Sequence, residues 1–259
     1  MTTKDLIPVI LCIAKLESNY IEEFVKYHLG LGFSHIFIYD NEDVPTYRQI
    51  LNKYSDNLIT VIHFPTKYQQ MNAYNHFINN ILFNSNISHV ACIDIDEFIV
   101  LKKHNNIKDF INEFITGDCE GIGMNWRFFG SSGNKEAKTN EPLTKRFTLC
   151  QKDGNMHIKT LFKKDNFISF NTMHDVILSK GFIKSTNGQV IYGPFNHNID
   201  LNYIQLNHYK CKTLEEFKYL STRGQADRFV NPPDPIKNFI HFDINEVEDL
   251  TAHNFYSNL

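Results

Sequence analysis

The 259-residue chain predicts an α/β protein built on a doubly wound sheet. Short apolar runs rich in Val, Ile, Phe and Tyr recur through the first part of the chain, and stretches with apolar residues at helical spacing separate them. The composition agrees: 42% hydrophobic residues, 21% charged residues and a formal net charge of -3 describe an ordinary folded domain, not a disordered, collagenous or disulfide-stapled chain.

Val9 to Ala14 reads as a buried parallel strand, and Asn19-Tyr20-Ile21-Glu22 as a capping box. The helix it opens carries Ile21, Phe24, Val25 and His28 on one face and stops at Gly30 and Gly32. His35 to Tyr39 is the second strand, ending in the turn residues Asp40 and Asn41. Pro45 to Tyr54 reads as a helix, Leu58 to His63 as a strand, Gln69 to Phe83 as a long amphipathic helix and His89 to Ile93 as a fourth strand. After Ile115 the texture changes: Gly121 to Phe129 is strand-like, and Gly130 to Thr144 is a polar loop long enough to be functional or mobile. Phe147 to Ile191 reads as short strands with polar turns. Thr213-Leu-Glu-Glu216 is a second capping box, opening a helix to about Gln225, and the Asn-Pro-Pro-Asp-Pro run at 231–235 is excluded from regular structure and wraps the surface.

A near-neutral charge leaves no basic stripe for a phosphate backbone, so nucleic acid is an unexpected partner and any phosphate handled is a small one. The five cysteines have no C-x-x-C spacing and fit a reducing compartment. Leu6 to Ala14 is too short and too interrupted for a transmembrane span or a signal peptide, so the expected location is cytoplasmic, or loosely against the inner face of a membrane.

The most informative segment is Ile93-Asp94-Ile95-Asp96-Glu97-Phe98. In open α/β sheets ligands bind beyond the carboxyl ends of the strands, where these acids fall. Side chains alternate along an extended backbone, so Asp94 and Asp96 face the same way with Cα atoms about 7 Å apart. Two such carboxylates repel unless a cation sits between them, and Mg2+ or Mn2+ shared with a substrate phosphate answers that geometry.

These residues and their neighbours resemble a known group. Cys12-Ile-Ala-Lys-Leu-Glu17, Tyr20-Ile-Glu-Glu-Phe-Val-Lys-Tyr-His28, Leu31-Gly32 and His35-Ile-Phe-Ile-Tyr-Asp-Asn41 look like the N-terminal signature of the glycosyltransferase family 2-like and family 92 group. The order continues through Gln70-x-x-Ala73-Tyr74, Asp94-x-Asp96-Glu97-Phe98, Trp126-x-x-Phe129-Gly130, Leu206-x-His208-Tyr209 and Arg223-Gly224. The chain departs from the group at Leu16, where Lys-Asn-Glu is usual, and at Phe24, where Trp is usual.

The resemblance implies a GT-A (Rossmann-like) nucleotide-sugar-binding fold with a mixed central sheet. As one domain it would divide into a nucleotide-binding half at 1–115, an acceptor- and sugar-binding half at 116–210 and a C-terminal helix and extension at 211–259. It also implies a UDP-sugar donor, galactose first, and Mn2+ or Mg2+ on Asp96, with Asp94 on the metal or the ribose and His208 completing the metal shell. The acceptor would be a glycan, glycolipid or glycoprotein hydroxyl, and the transfer would proceed with inversion. The nucleotide pocket would be lined by Lys15 and Glu17 at the first strand end, Asp40 at the second, and Gln70. Trp126 with Gly130 and Ser131 would meet a sugar, since sugars present apolar faces and hydroxyl rims. Arg223 is the first cation expected on the diphosphate, ahead of Lys159, Lys163 and Lys164. The base is expected at His174-Asp175, with Asp227 and then Glu136 behind it. A nucleotidyltransferase-like enzyme and a catalytically silent carbohydrate-binding relic of the same fold are the competing readings.

Overall fold

The computed structural model describes residues 6–67, 69–224 and 234–259. In chain order the elements are β1 Pro8–Ala14, α1 Ile21–Gly30, β2 His35–Asp40, α2 Tyr47–Ile50, β3 Ile59–His63, α3 Gln70–Asn80, β4 His89–Cys92, β5 Glu97–Leu101, α4 Ile107–Phe114 and β6 Cys119–Phe128. There follow α5 Leu143–Arg146, β7 Leu149–Cys150, β8 Ile158–Lys163, β9 Phe167–Phe170, β10 Val176–Leu178, β11 Phe182–Lys184, β12 Ile204–His208, α6 Leu214–Ser221, α7 Pro235–Phe242, β13 Val247–Glu248 and α8 Thr251–Ser257.

A mixed sheet runs in the order β3-β2-β1-β4-β8-β6-β12-β5, with β11 alongside the start of β6. β1 pairs parallel with β2 and β4, and β2 with β3, so four strands point the same way. β8 is antiparallel to both β4 and β6, and β12 is parallel to β6. The carboxyl ends of β1, β2, β3, β4, β6 and β12 therefore share one edge, where β8 also begins.

Alternation along β1 explains the two cores. Ile10, Cys12 and Ala14 pack with Phe24, Val25 and Ile36 on one face, and Val9, Leu11 and Ile13 pack with Ala73, Tyr74 and Phe77 on the other. Strand β5 is an edge, and α1 covers it chemically as well as sterically. The Tyr27 hydroxyl donates to the Ile99 carbonyl at 3.0 Å, and the Ile99 N–H donates to His28 Nε2 at 3.3 Å. His28 Nδ1 takes the Phe24 carbonyl at 2.9 Å, which makes Nδ1 the protonated nitrogen and Nε2 the acceptor.

Several elements differ from the expected ones. The helix expected over Pro45 to Tyr54 is only Tyr47–Ile50, and the long third helix ends at Asn80, followed by a separate turn of 3-10 helix at Leu82–Asn84. The capping box expected at Asn19 does not form; Tyr20 starts α1 without a side-chain cap, while Thr213 and Glu216 cap each other as expected. Strand β5 and helix α4 went unread because Glu97–Leu101 runs on from the acidic turn without a breaker. Within the proline-rich run, Asp234 caps α7 and Pro235 occupies its first turn, where a missing N–H costs nothing. Helix α6 ends at Ser221; Gln225 and the candidate base Asp227 lie outside the described residues.

Burial holds His28 neutral, with its pKa down to about 3. The unfolded chain takes up this proton near pH 6.5 and the folded chain does not, so stability is full above about pH 6.5 and falls as the pH drops toward about 3. Urea unfolding at stepped pH should show the wild type losing about 1.4 kcal/mol per pH unit more than His28→Leu across that window. Equal slopes would show that His28 does not contribute.

Candidate active site

Asp94, Asp96 and Glu97 sit where β4 ends and β5 begins, at the common carboxyl edge. Cations from three distant segments converge on them. Lys159, wholly buried at the start of β8, donates to Asp94 Oδ2 at 2.9 Å and lies 3.9 Å from Glu97 Oε2. Lys212, equally buried, stands 3.5 Å from Asp96 Oδ2. Arg223, beyond α6, reaches back to the Lys15 carbonyl at 2.8 Å and pairs with the buried Glu17 carboxylate.

Burial alone would raise both aspartate pKa values, but the cations outweigh it. Lys159 brings Asp94 below the usual carboxylate range, and Lys212, with Arg223 and Lys210 and with His208 once acid protonates it, brings Asp96 well below it. Burial dominates at Glu97 and Glu17, whose pKa values rise. Burial also lowers the Lys210 ammonium, which rests over the Phe242 ring at 4.1 Å.

Trp126, at the end of β6, is the hub of an imidazole cluster: His208 lies 4.5 Å from it between ring centroids, His157 stacks at 5.0 Å and His174 sits at 5.3 Å. His174 Nδ1 takes the Ile158 carbonyl at 2.8 Å, so Nδ1 carries the proton and Nε2 is left as an unprotonated base. Burial and then the Lys159 charge lower its pKa to about 4. His208 is neutral for the same primary reason, its pKa about 3, and its Nδ1 has no hydrogen-bond partner among the described residues.

The fit to a divalent cation rests on Asp96 and His208. Asp96 Oδ1 and His208 Nε2 are 3.6 Å apart, too far for a hydrogen bond and close to the separation of roughly 3 to 3.5 Å between neighbouring ligands of one small ion. No third His, Cys, Asp or Glu joins them among the described residues, so an ion held here would complete its shell from substrate and water. Asp94 is occupied otherwise, its oxygens taking Lys159 and the Gln70 amide at 3.0 Å.

Other expected residues have different tasks. Asp40 is not open to a nucleotide: it is buried and accepts the backbone N–H groups of Glu42, Thr46 and Tyr47 at 3.1, 2.7 and 3.0 Å, capping α2. Asp175 closes the β9–β10 turn by accepting from Asn171 at 2.8 Å and from Thr172. Gly130 and Ser131 lie beneath the C-terminal segment rather than facing a sugar. A Cβ on Gly130 would stand 2.5 Å from the Ile244 carbonyl, and the Ser131 N–H donates to Asp243 at 2.7 Å. The first residues of the loop expected to be functional or mobile are thereby tied down. Lys15 points its amine to the exposed Asp43 at 3.1 Å. Leu16 takes φ 59°, the left-handed region that Asn enters at little cost, which accounts for the Asn usual in the group at this position. Gln70 is buried and holds Asp94 and the Tyr74 hydroxyl rather than facing solvent.

Lys210, Lys212 and His157 join this cluster although no motif singles them out, and Lys159, expected behind Arg223, lies directly on Asp94. The available signals were a lysine inside the apolar run Ile158-Lys-Thr-Leu-Phe162 and two lysines directly after His208-Tyr209. A separate cavity of about 250 Å3 between α1, β5 and α8 shares no residue with this cluster and is lined by no acidic, lysine or arginine side chain.

The sequence profile of glycosyltransferase family 92 matches residues 7–249. The chain belongs to glycosyltransferase family 92. The resemblance read from the sequence is borne out at the level of the family, and the central sheet is mixed, as expected. Searched against the curated proteins, this family 92 chain finds no match. Among solved structures it is similar to S. aureus TarS, at 17% identity and TM-score 0.34, covering 51% of this chain and 23% of that one. HddC from Yersinia pseudotuberculosis follows at 11% identity and TM-score 0.36, with coverage of 70% and 75%. Core-mannan synthase A from Aspergillus fumigatus, in its Mn/GDP form, gives 8% identity and TM-score 0.32, with coverage of 64% and 61%. The family 92 chain thus spans less than a quarter of the length of TarS. Among the described residues no helix is long and apolar enough to cross a membrane.

Replacing Lys159 by Met would leave Asp94 and Glu97 without their buried cation. The Asp94 side chain is about a third exposed and water screens part of its charge, so urea unfolding should register a loss of about 1 to 3 kcal/mol at neutral pH. No measurable loss would mean that water already balances Asp94 without the lysine.

Proposed function

We propose that this chain moves a hexose, with galactose the first to test, from a UDP-sugar to a hydroxyl of a glycan, glycolipid or glycoprotein acceptor. The setting is the making of a cell-surface or virion glycan, and the transfer proceeds with inversion. The observation that carries the reading is the open pairing of Asp96 with neutral His208, ringed by buried cations at the carboxyl edge of the sheet. Asp96 and His208 would hold Mn2+ or Mg2+, which supplies charge stabilisation to the departing diphosphate when bound.

The chain's own residues divide the remaining work. Arg223, anchored on Glu17 and the Lys15 carbonyl, faces the diphosphate as a fixed cation. Asp94, oriented by Lys159 and Gln70, keeps free lone pairs for the donor hydroxyls of a ribose. Trp126 itself is buried, with His157 stacked on it and His174 and His208 edge-on, so a sugar ring would meet the half-buried imidazoles of His157 and His174 that Trp126 backs, rather than the indole. His174 is preferred to Asp175 as the base, because its Nε2 is unprotonated while the Asp175 oxygens serve their own turn. As the acceptor oxygen attacks the anomeric carbon, Nε2 takes the hydroxyl proton and the bond to the UDP oxygen breaks.

Calorimetry with UDP, GDP, CMP and ADP, each with and without Mn2+, tests the nucleotide. UDP should bind only with Mn2+, and Asp96→Asn should weaken that binding at least about a hundredfold. UDP binding of equal strength without metal would reject the metal-dependent reading. His174→Ala should lower kcat about 100- to 10,000-fold with UDP affinity unchanged, as read by UDP release from UDP-galactose and an acceptor panel. An unchanged kcat would remove His174 from the chemistry.

A further inference from the structure

We propose that the Lys212 ammonium is a built-in counter-ion that guards Asp96 until the donor arrives and then transfers to the donor's diphosphate, so that lysine and divalent ion compete for one carboxylate. The proposal rests on the reading of Asp96 as a ligand of the ion.

Lys212 is wholly buried, yet its Nζ has no hydrogen-bond partner among the described residues. Asp96 Oδ2 is 3.5 Å away, and the Tyr20 ring centroid lies 4.9 Å off. An ammonium carries three donors, and leaving them unmet in the interior is costly. The same chain shows what a settled pair looks like: Lys159, also buried, closes on Asp94 to 2.9 Å. The Lys212 backbone is fixed on both sides. It holds φ 55° between two anchors, the Tyr209 N–H on the Asp96 carbonyl at 2.8 Å and the Thr213–Glu216 capping box.

Asp96 is in the complementary position, since no described group donates a hydrogen bond to its carboxylate and His208 Nε2 stays 3.6 Å from it. A buried cation lacking acceptors thus faces a buried anion lacking donors. A diphosphate with its divalent ion is the chemical class that meets both needs together: phosphate oxygens accept from Lys212, and the ion takes Asp96 Oδ1 beside His208, on a carboxylate whose charge Lys212 no longer holds. Metal alone sets a second cation on a carboxylate that Lys212 already faces through Oδ2, and gives the ammonium no new partner, so metal and nucleotide bind with positive coupling.

The test titrates Mn2+ into the full chain, following free Mn2+ by electron paramagnetic resonance, without and with saturating UDP. In Lys212→Met, Mn2+ alone should bind about tenfold tighter, and the factor by which UDP strengthens Mn2+ binding should fall at least about tenfold. That factor is a ratio within one protein, so a partly folded variant does not imitate its loss, and Lys212→Gln repeats the measurement. Unchanged or weaker binding of Mn2+ alone in Lys212→Met, with Asp96→Asn abolishing it, would overturn the proposal while leaving the metal-dependent reading intact. Equal tightening in Lys210→Met would also overturn it, because loss of positive charge alone would then be sufficient. Wild-type Mn2+ affinity in Asp96→Asn would bring down the underlying reading and the proposal together.

Discussion

Carboxylates gathered in the turn between β4 and β5 cannot be buried without cations, and the chain obtains those cations from far along its length. Asp94 is partnered by Lys159, and Asp96 by Lys212, while Glu17 meets Arg223. Each cation arrives on a different element, so β8, the segment after β12 and the end of α6 must all come to the carboxyl edge of the parallel strands. A buried acid left alone would neutralise or unfold its surroundings. The electrostatic demand of this acidic turn, together with that of Glu17 after β1, therefore draws β8, the segment after β12 and the end of α6 to one edge.

A second buried network keeps those arrivals in place. Arg146 makes a two-pronged pair with Glu216 at 2.8 and 2.6 Å, and the Tyr20 hydroxyl joins Glu216 at 2.8 Å. Glu23 accepts the Thr144 N–H at 3.1 Å and its hydroxyl at 2.7 Å at the start of α5. Helices α1, α5 and α6 are thus locked together, and α6 carries Lys212 at its entrance and Arg223 beyond its exit. Charge-assisted, bidentate geometry suits this task because it sets orientation as well as distance.

Local rules explain what was legible and what was not. Strands β1 to β4 and helices α1 and α3 were readable because apolar spacing follows the backbone repeat of each element. Strand β5 was hidden because Glu97 looked like part of an acidic turn, although it pairs with His208 across the ladder. Asp40 looked like a ligand group because strand ends in such sheets face sites. Its side chain instead satisfies three backbone N–H groups, the commoner task of an aspartate before a short helix.

By itself the sequence determined the α/β class, the family signature and the place of Asp94 and Asp96 at a strand end, because each depends on neighbours a few residues apart. Tertiary structure alone decided that Lys159 and Lys212 balance those acids and Arg223 balances Glu17, that Asp94 sides with Lys159 while Asp96 faces His208, and that His174 keeps a free nitrogen while the Asp175 oxygens are engaged. These are properties of side chains brought together from distant positions, such as Asp94 with Lys159 and Glu17 with Arg223. Burial and charge act through space, and no spacing rule along the chain records which group will stand beside which.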